Sequence, residues 1–112
     1  MNATELGRIC LALPQSFESF PFGEETSVFK TSGNGKVFAI STLTDSPLSV
    51  TLKADPEESI ALREQYPEIG PGYHMNKKHW ITVDLTGALP TTLIEELVYA
   101  SYALVRPRLP RR

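Results

Sequence analysis

The chain is 112 residues long, 41% hydrophobic and 21% charged, with a net charge of −2, which fits one ordinary soluble globular domain able to bury a core without covalent staples. Its single cysteine, Cys10, excludes an internal disulfide and points to a reducing compartment, so a cytoplasmic location is expected. No apolar run approaches the ~18 residues of a membrane span, and no basic start followed by an apolar stretch marks a signal peptide, so no membrane partner is expected.

The charge is unevenly spread. Residues 1–70 carry five basic and ten acidic residues, a net −5, whereas residues 71–112 carry six basic and three acidic, a net +3. The overall sign argues against a strong nucleic-acid binder, but the asymmetry permits a basic face on an acidic protein.

Asn2 with Glu5 three positions on is a capping-box-like helix start, and Leu6, Ile9, Cys10 and Leu13 then share one helical face up to Pro14. Cys10 reads as a small buried hydrophobe rather than a catalytic thiol, since nothing near it looks like an activating base. Residues 15–25 lack periodicity and read as a loop pinned by Phe17, Phe20 and Phe22. Residues 26–31 favour strand, Gly33-Asn34-Gly35 is a hairpin turn signal, and 36–42 are apolar enough on both faces to form a central strand. Gly33 to Lys36 lacks P-loop spacing and leads into a strand, so no helix N-terminus waits there for a phosphate.

A turn at 45–47 is followed by Leu48, Val50 and Leu52 alternating with Ser49, Thr51 and Lys53, a half-buried strand. Asp55-Pro56-Glu57-Glu58 opens a short helix running to about Gln65. Its apolar line is Leu62, Tyr66 and Ile69, with Ile60 off it. Residues 79–85 form a further strand, with Ile81, Val83 and Leu85 on one face and Trp80, Thr82 and Asp84 on the other. Pro90 opens the longest helix, ending near Val105, with a buried stripe of Leu93, Ile94, Leu97, Val98, Leu104 and Val105. Ser101 lies within that stripe and is expected to bond back to the Leu97 carbonyl. The basic tail, residues 106–112, is twice interrupted by proline and is expected to be extended and partly mobile. This order gives a single α+β domain over residues 1–112: an antiparallel sheet with helices packed against one face.

Function is expected in residues 66–80. This segment holds two prolines, two glycines, three aromatics, both histidines of the chain and Lys77-Lys78. Pro67, Gly70, Pro71 and Gly72 exclude a continuous helix or central strand through its first half, and an irregular connection rich in recognition side chains is where a small domain places a site. His74 and His79 lack further ligands at metal spacing, so no metal and no cofactor is expected. No nucleophile–base–acid pattern of a known hydrolase motif is present, which disfavours an enzyme. Lys77, Lys78, His79 and Trp80 admit two readings: a phosphate-and-base contact, or solvated lysines beside a Tyr73–Trp80 packing pair.

Pro-Gly-Tyr-His-Met-Asn-Lys-Lys-His-Trp (71–80) resembles the signature of the MmcQ/YjbR-like family of small bacterial proteins. The resemblance extends through Leu-Ala-Leu-Pro (11–14), Phe-Pro-Phe-Gly (20–23), Lys-Val-Phe-Ala (36–39), Asp-Pro-Glu-Glu (55–58), Leu-Arg-Glu-Gln-Tyr-Pro (62–67), Gly-Ala-Leu-Pro (87–90) and Ser101-Tyr102. It implies an antiparallel sheet with helices of secretion-chaperone-like topology, and DNA as a partner, through a helix flanked by β-hairpin wings. It marks Tyr73, His74, Asn76, Lys77, Lys78, His79 and Trp80 as family-typical and carries over no catalytic residue. Ala88 departs from the small polar residue that more often precedes Leu-Pro, which puts the last helix's cap in question. Three functions follow as expectations, the third of them small-molecule binding near His74 and Trp80. In the first, Lys77 and Lys78 contact phosphate, His74, Asn76 and Trp80 line the site, and Arg106, Arg108, Arg111 and Arg112 form an electrostatic arm. In the second, the chain is a chaperone-like adaptor binding a peptide, a protein partner or a twin subunit.

Overall fold

The computed structural model describes residues 1–72 and 75–107. Its elements are α1 (Ala3–Leu11), β1 (Ser16–Ser19), β2 (Thr26–Thr31), β3 (Val37–Thr42), β4 (Ser49–Lys53), α2 (Pro56–Gln65), β5 (Ile69–Pro71), β6 (Trp80–Asp84) and α3 (Thr91–Val105). The strands make one sheet in the order β1-β2-β3-β4-β6-β5, and every neighbouring pair is antiparallel. No helix among the described residues is long and apolar enough to cross a membrane.

Register decides which side chains share a face. Phe29 is paired with Ala39, Ala39 with Leu52, Leu52 with Ile81, and Val50 with Val83, so these residues line one side, and all are buried. The helices cover this side: α1 lies against β1, α2 beside β5, and α3 across β3 and β4. Leu6 and Cys10 of α1 and Ile94, Val98, Tyr102 and Val105 of α3 join these sheet residues in the core, with Phe38, Ala54, Ile69, Leu85 and Leu89. Each buried Leu- or Val-sized side chain contributes roughly 2 kcal/mol. The other side carries Val28, Ile40, Thr51 and Thr82 across consecutive strands and has no helix of the described residues on it.

The helix ends follow local chemistry. Asn2 accepts the Glu5 N–H at 2.8 Å, and Asp55 accepts the N–H groups of Glu57 and Glu58 at 3.0 and 3.4 Å, satisfying first-turn donors that have no intrahelical partner. The start of α3 at Pro90 has no side-chain cap. Its far end is instead tied down by the β2–β3 turn. Asn34 donates to the Val105 carbonyl at 2.8 Å and accepts from the Thr31 hydroxyl and the Lys36 N–H. A Cβ on Gly33 would lie 2.7 Å from Pro107 Cγ, so glycine there lets the chain after α3 pass close over the turn, and Gly35 takes a positive φ of 66°.

Several sequence expectations need correction. Residues 16–19 are not loop but the edge strand β1, paired with β2. The Pro/Gly segment contains β5, a three-residue edge strand, the place where a sheet tolerates proline. Leu104 is 50% exposed and lies off the buried stripe, which instead takes in Tyr102. The Tyr102 hydroxyl donates to the Pro14 carbonyl at 2.6 Å, and its ring meets Phe38 edge-on at 5.6 Å.

Ser101 does not bond back along its own helix. Its hydroxyl donates to the Phe38 carbonyl at 2.6 Å and accepts from the Lys53 N–H at 2.8 Å. These are the groups that would extend the β3–β4 ladder one step past Ala39 and Leu52. The hydroxyl is fully buried and replaces a backbone bond with a two-point link from α3 to the sheet. Removing it leaves a buried donor and a buried acceptor unpaired, so Ser101→Ala is expected to lower the unfolding free energy by about 2 kcal/mol, measured by urea denaturation. A change within error would mean the strands close on their own.

Burial, reinforced by the nearby Glu18 carboxylate, pushes the Cys10 thiol up to about 12 from its ordinary 9.0. The group is therefore protonated at neutral pH, the opposite of an activated nucleophile. Because the folded value lies above the unfolded one, its contribution is fully present below pH 9 and is lost as pH rises toward 12. The wild type is expected to lose stability relative to Cys10→Ala by up to about 1.4 kcal/mol per pH unit in that window, read from paired denaturation curves. Parallel pH profiles for the two proteins would contradict this.

Candidate functional site

Antiparallel order sends successive connections to alternate ends of the sheet. The α1–β1, β2–β3, β4–α2 and β5–β6 connections and the C-terminus of α3 fall at one end. The β1–β2, β3–β4, α2–β5 and β6–α3 connections fall at the other. The first end gathers cations: Lys36 at the β2–β3 turn, Lys53 at the close of β4, Lys77 and Lys78 before β6, and Arg106 after α3. From β3 to β6 is two strand spacings, about 10 Å, with Lys53 on the strand between. Among the described residues none of Lys36, Lys53, Lys77 or Lys78 has an ion-pair partner. The acids at this end, Asp55, Glu57 and Glu58, lie in the first turn of α2, where Asp55 serves as the cap and the helix dipole favours negative charge.

The loop before β6 is held by its own backbone and by Asn76. The Asn76 side-chain oxygen accepts the Lys78 N–H at 2.9 Å, and its carbonyl accepts the His79 N–H at 3.1 Å. This leaves Lys77, Lys78 and His79 exposed. The His79 carbonyl accepts the Ala54 N–H at 2.8 Å, joining the loop to the end of β4. Gly72 donates to the Trp80 carbonyl at 2.9 Å, and a Cβ on it would lie 2.5 Å from Trp80 Cβ, so only glycine fits that approach. Trp80 is half-buried and stands opposite Lys53 on the helix-free side of the sheet.

Of the residues singled out from sequence, Asn76, Lys77, Lys78, His79 and Trp80 are brought together in one loop and strand start. Arg106 sits at the same end of the sheet, its guanidinium 5.9 Å above the Tyr102 ring. Tyr73, His74, Arg108, Arg111 and Arg112 lie outside the described residues, as does the expected mobility of the tail beyond Pro107. Sequence reasoning missed Lys36 and Lys53. The hairpin signal at 33–35 could have found Lys36, because adjacent antiparallel strands must return to the same end.

The opposite end carries Glu24, Glu25, Asp45, Glu68 and Asp84 on its connections and strand ends. The helix-free side of the sheet holds two adjoining cavities, which run from mid-sheet, where Met75 of the β5–β6 connection lines the first, to this acidic end. One, of about 290 Å³, is lined by Phe22, Ile40, Thr42, Asp45, Ser49, Thr51, Met75 and Thr82. The other, of about 410 Å³, includes Pro47, Pro67, Glu68, Gly70 and Asp84, and shares Asp45, Ser49 and Thr82 with the first. The Asp84 carboxylate is oriented by Thr86, whose N–H donates to it at 2.8 Å.

The model of the family described as YjbR matches residues 11–104. The chain is 40% identical over 105 residues to the uncharacterised protein YbdF of Escherichia coli O157:H7, covering 94% of this chain and 84% of that one. It is 34% identical over 110 residues to the uncharacterised protein YjbR of Escherichia coli strain K12, covering 98% and 92%. Among solved structures, a Deinococcus radiodurans protein superposes with a TM-score of 0.86 at 44% identity, over 92% of this chain and 77% of the other. A Pseudomonas syringae protein superposes at 0.83 and 30% identity, over 95% and 100%. The chain belongs to the YjbR family.

Proposed function

We propose that this chain is a nucleic-acid-binding domain that contacts phosphates through the cationic end of its sheet. The observation that carries the reading is the sorting of charge by strand direction. Lys36, Lys53, Lys77, Lys78 and Arg106 come from connections and strand ends far apart in sequence and outnumber Asp55, Glu57 and Glu58 at one end, while Asp45, Glu68 and Asp84 lie at the other. Such segregation lets a protein of net charge −2 present a local positive field to a polyanion. Lys77 and Lys78 are the principal phosphate contacts. Asn76 acts by holding the turn, since its side-chain oxygen is already engaged by Lys78 N–H. Trp80 offers the accessible part of its ring at the rim. No catalytic group is proposed.

Four lysine contacts imply a slope of log affinity against log salt near roughly −3.6 on duplex DNA, at about −0.9 per phosphate. The double variant Lys77→Ala/Lys78→Ala is expected to bring it to roughly −1.8, measured by fluorescence anisotropy of labelled duplex and single-stranded DNA across salt concentrations. An unchanged slope and affinity in the double variant would remove the proposal.

A protein-adaptor reading is favoured by a different observation. Phe17 on edge strand β1 and Phe20 and Phe22 just after it in the chain are 39%, 46% and 75% exposed, apolar side chains on and after the strand at the sheet's edge. If this edge joins twin subunits, light scattering at rising concentration will give a dimer that Phe20→Ser/Phe22→Ser abolishes. A monomer at every concentration would count against self-association.

A further inference from the structure

We propose that the helix-free side of the sheet holds a second site, running from mid-sheet to the acidic end, for a small organic cation with an apolar body. The two cavities described above meet at Asp45, Ser49 and Thr82, so they form one bipartite groove rather than two unrelated hollows. Their combined size is in the range of small-molecule sites.

The two halves differ in chemistry. The first is lined by apolar Phe22, Ile40 and Met75 together with Thr42 and Thr51. Phe22 is 75% exposed, so its ring is accessible to an apolar group entering the cavity. The second half gathers the carboxylates of Asp45, Glu68 and Asp84. They arrive from three separate places in the chain: the β3–β4 turn, the α2–β5 connection and the end of β6. No lysine, arginine or histidine among the described residues lines either half. Asp45 and Glu68 have no side-chain hydrogen bond or ion pair among the described residues. The N-terminal ammonium, also at this end, is bound to the Leu85 carbonyl at 2.9 Å.

The chemistry of the occupant follows. Anions are repelled, which keeps a phosphate backbone away from this end. A bare divalent ion is disfavoured too, because among the described residues no three acidic, histidine or cysteine side chains converge closely enough to hold a metal. A protonated amine or guanidinium joined to an aromatic or aliphatic group satisfies both halves together, its cation among the dispersed carboxylates and its body against Phe22, Ile40 and Met75.

The probe is phenethylamine, with 2-phenylethanol as its neutral counterpart of nearly equal shape, titrated into the 15N-labelled full chain. Saturable shifts are expected at the amides of Ile40, Ser49, Thr51 and Asp84 with the amine, and about tenfold weaker binding of the alcohol. Asp45→Asn and Glu68→Gln, neither of which removes an internal bond, are each expected to weaken the amine several-fold while leaving the alcohol unchanged. Lys77→Ala/Lys78→Ala is expected to leave amine binding intact, so this site stands or falls apart from the DNA proposal. Absence of shifts at these amides, or equal binding of amine and alcohol, would overturn the proposal.

Discussion

Everything in this molecule depends on the antiparallel pairing of the six strands formed by its described residues. Pairing fixes two things together: which side chains face the helices, and to which end each connection returns. The first is enforced by burial, because a one-residue slip of β4 against β6 would exchange Val50 and Leu52 for Thr51 and Lys53 in the core. The second has no separate enforcement. It follows from strand direction, yet it sorts the charged residues of the connections into opposite ends of the sheet.

The link between α3 and the sheet turns this pattern into a fixed frame. Ser101 bridges β3 and β4 where their own ladder stops, and Asn34 holds the last turn of the helix against the β2–β3 turn. The same contacts deliver Arg106 to the cationic end. The loop before β6 is positioned in a similar way, by Asn76 within the loop and by the bond from Ala54 to the His79 carbonyl. Lys77 and Lys78 thus project from a backbone tied to two neighbouring strands. The side of the sheet away from the helices has open cavities instead, because no helix among the described residues covers it.

Much of the fold was legible in the sequence because it is written in local chemistry. Asn2, Asp55 and the Asn-Gly turn act within a few residues of themselves, so the starts of α1 and α2 and the β2–β3 hairpin stand where they were expected. Helix α2, with Ile60 51% exposed, also matches its weak apolar line. Strand β1 was hidden because Ser-Phe-Glu-Ser is an edge segment with no apolar alternation, and β5 because its glycine weakens a strand and its proline is tolerated only at an edge. Ser101 was misassigned because its partners lie 63 and 48 residues away, and no local pattern reports that distance. For the site, the 75–80 stretch was visible through its composition. Lys36 and Lys53 were not, since only strand direction brings them beside it, and the same is true of Asp45, Glu68 and Asp84.

The central claim is that the two ends of the sheet are chemically distinct surfaces and that the cationic one meets nucleic acid. The most direct measurement is an amide chemical-shift map of the 15N-labelled chain with a short DNA duplex at low salt. Perturbations are expected at Lys36, Lys53, Ala54, Lys77, Lys78, His79 and Arg106, fading as salt rises, with Asp45, Glu68 and Asp84 unmoved. Perturbations centred on the acidic end, or none at any salt, would contradict it.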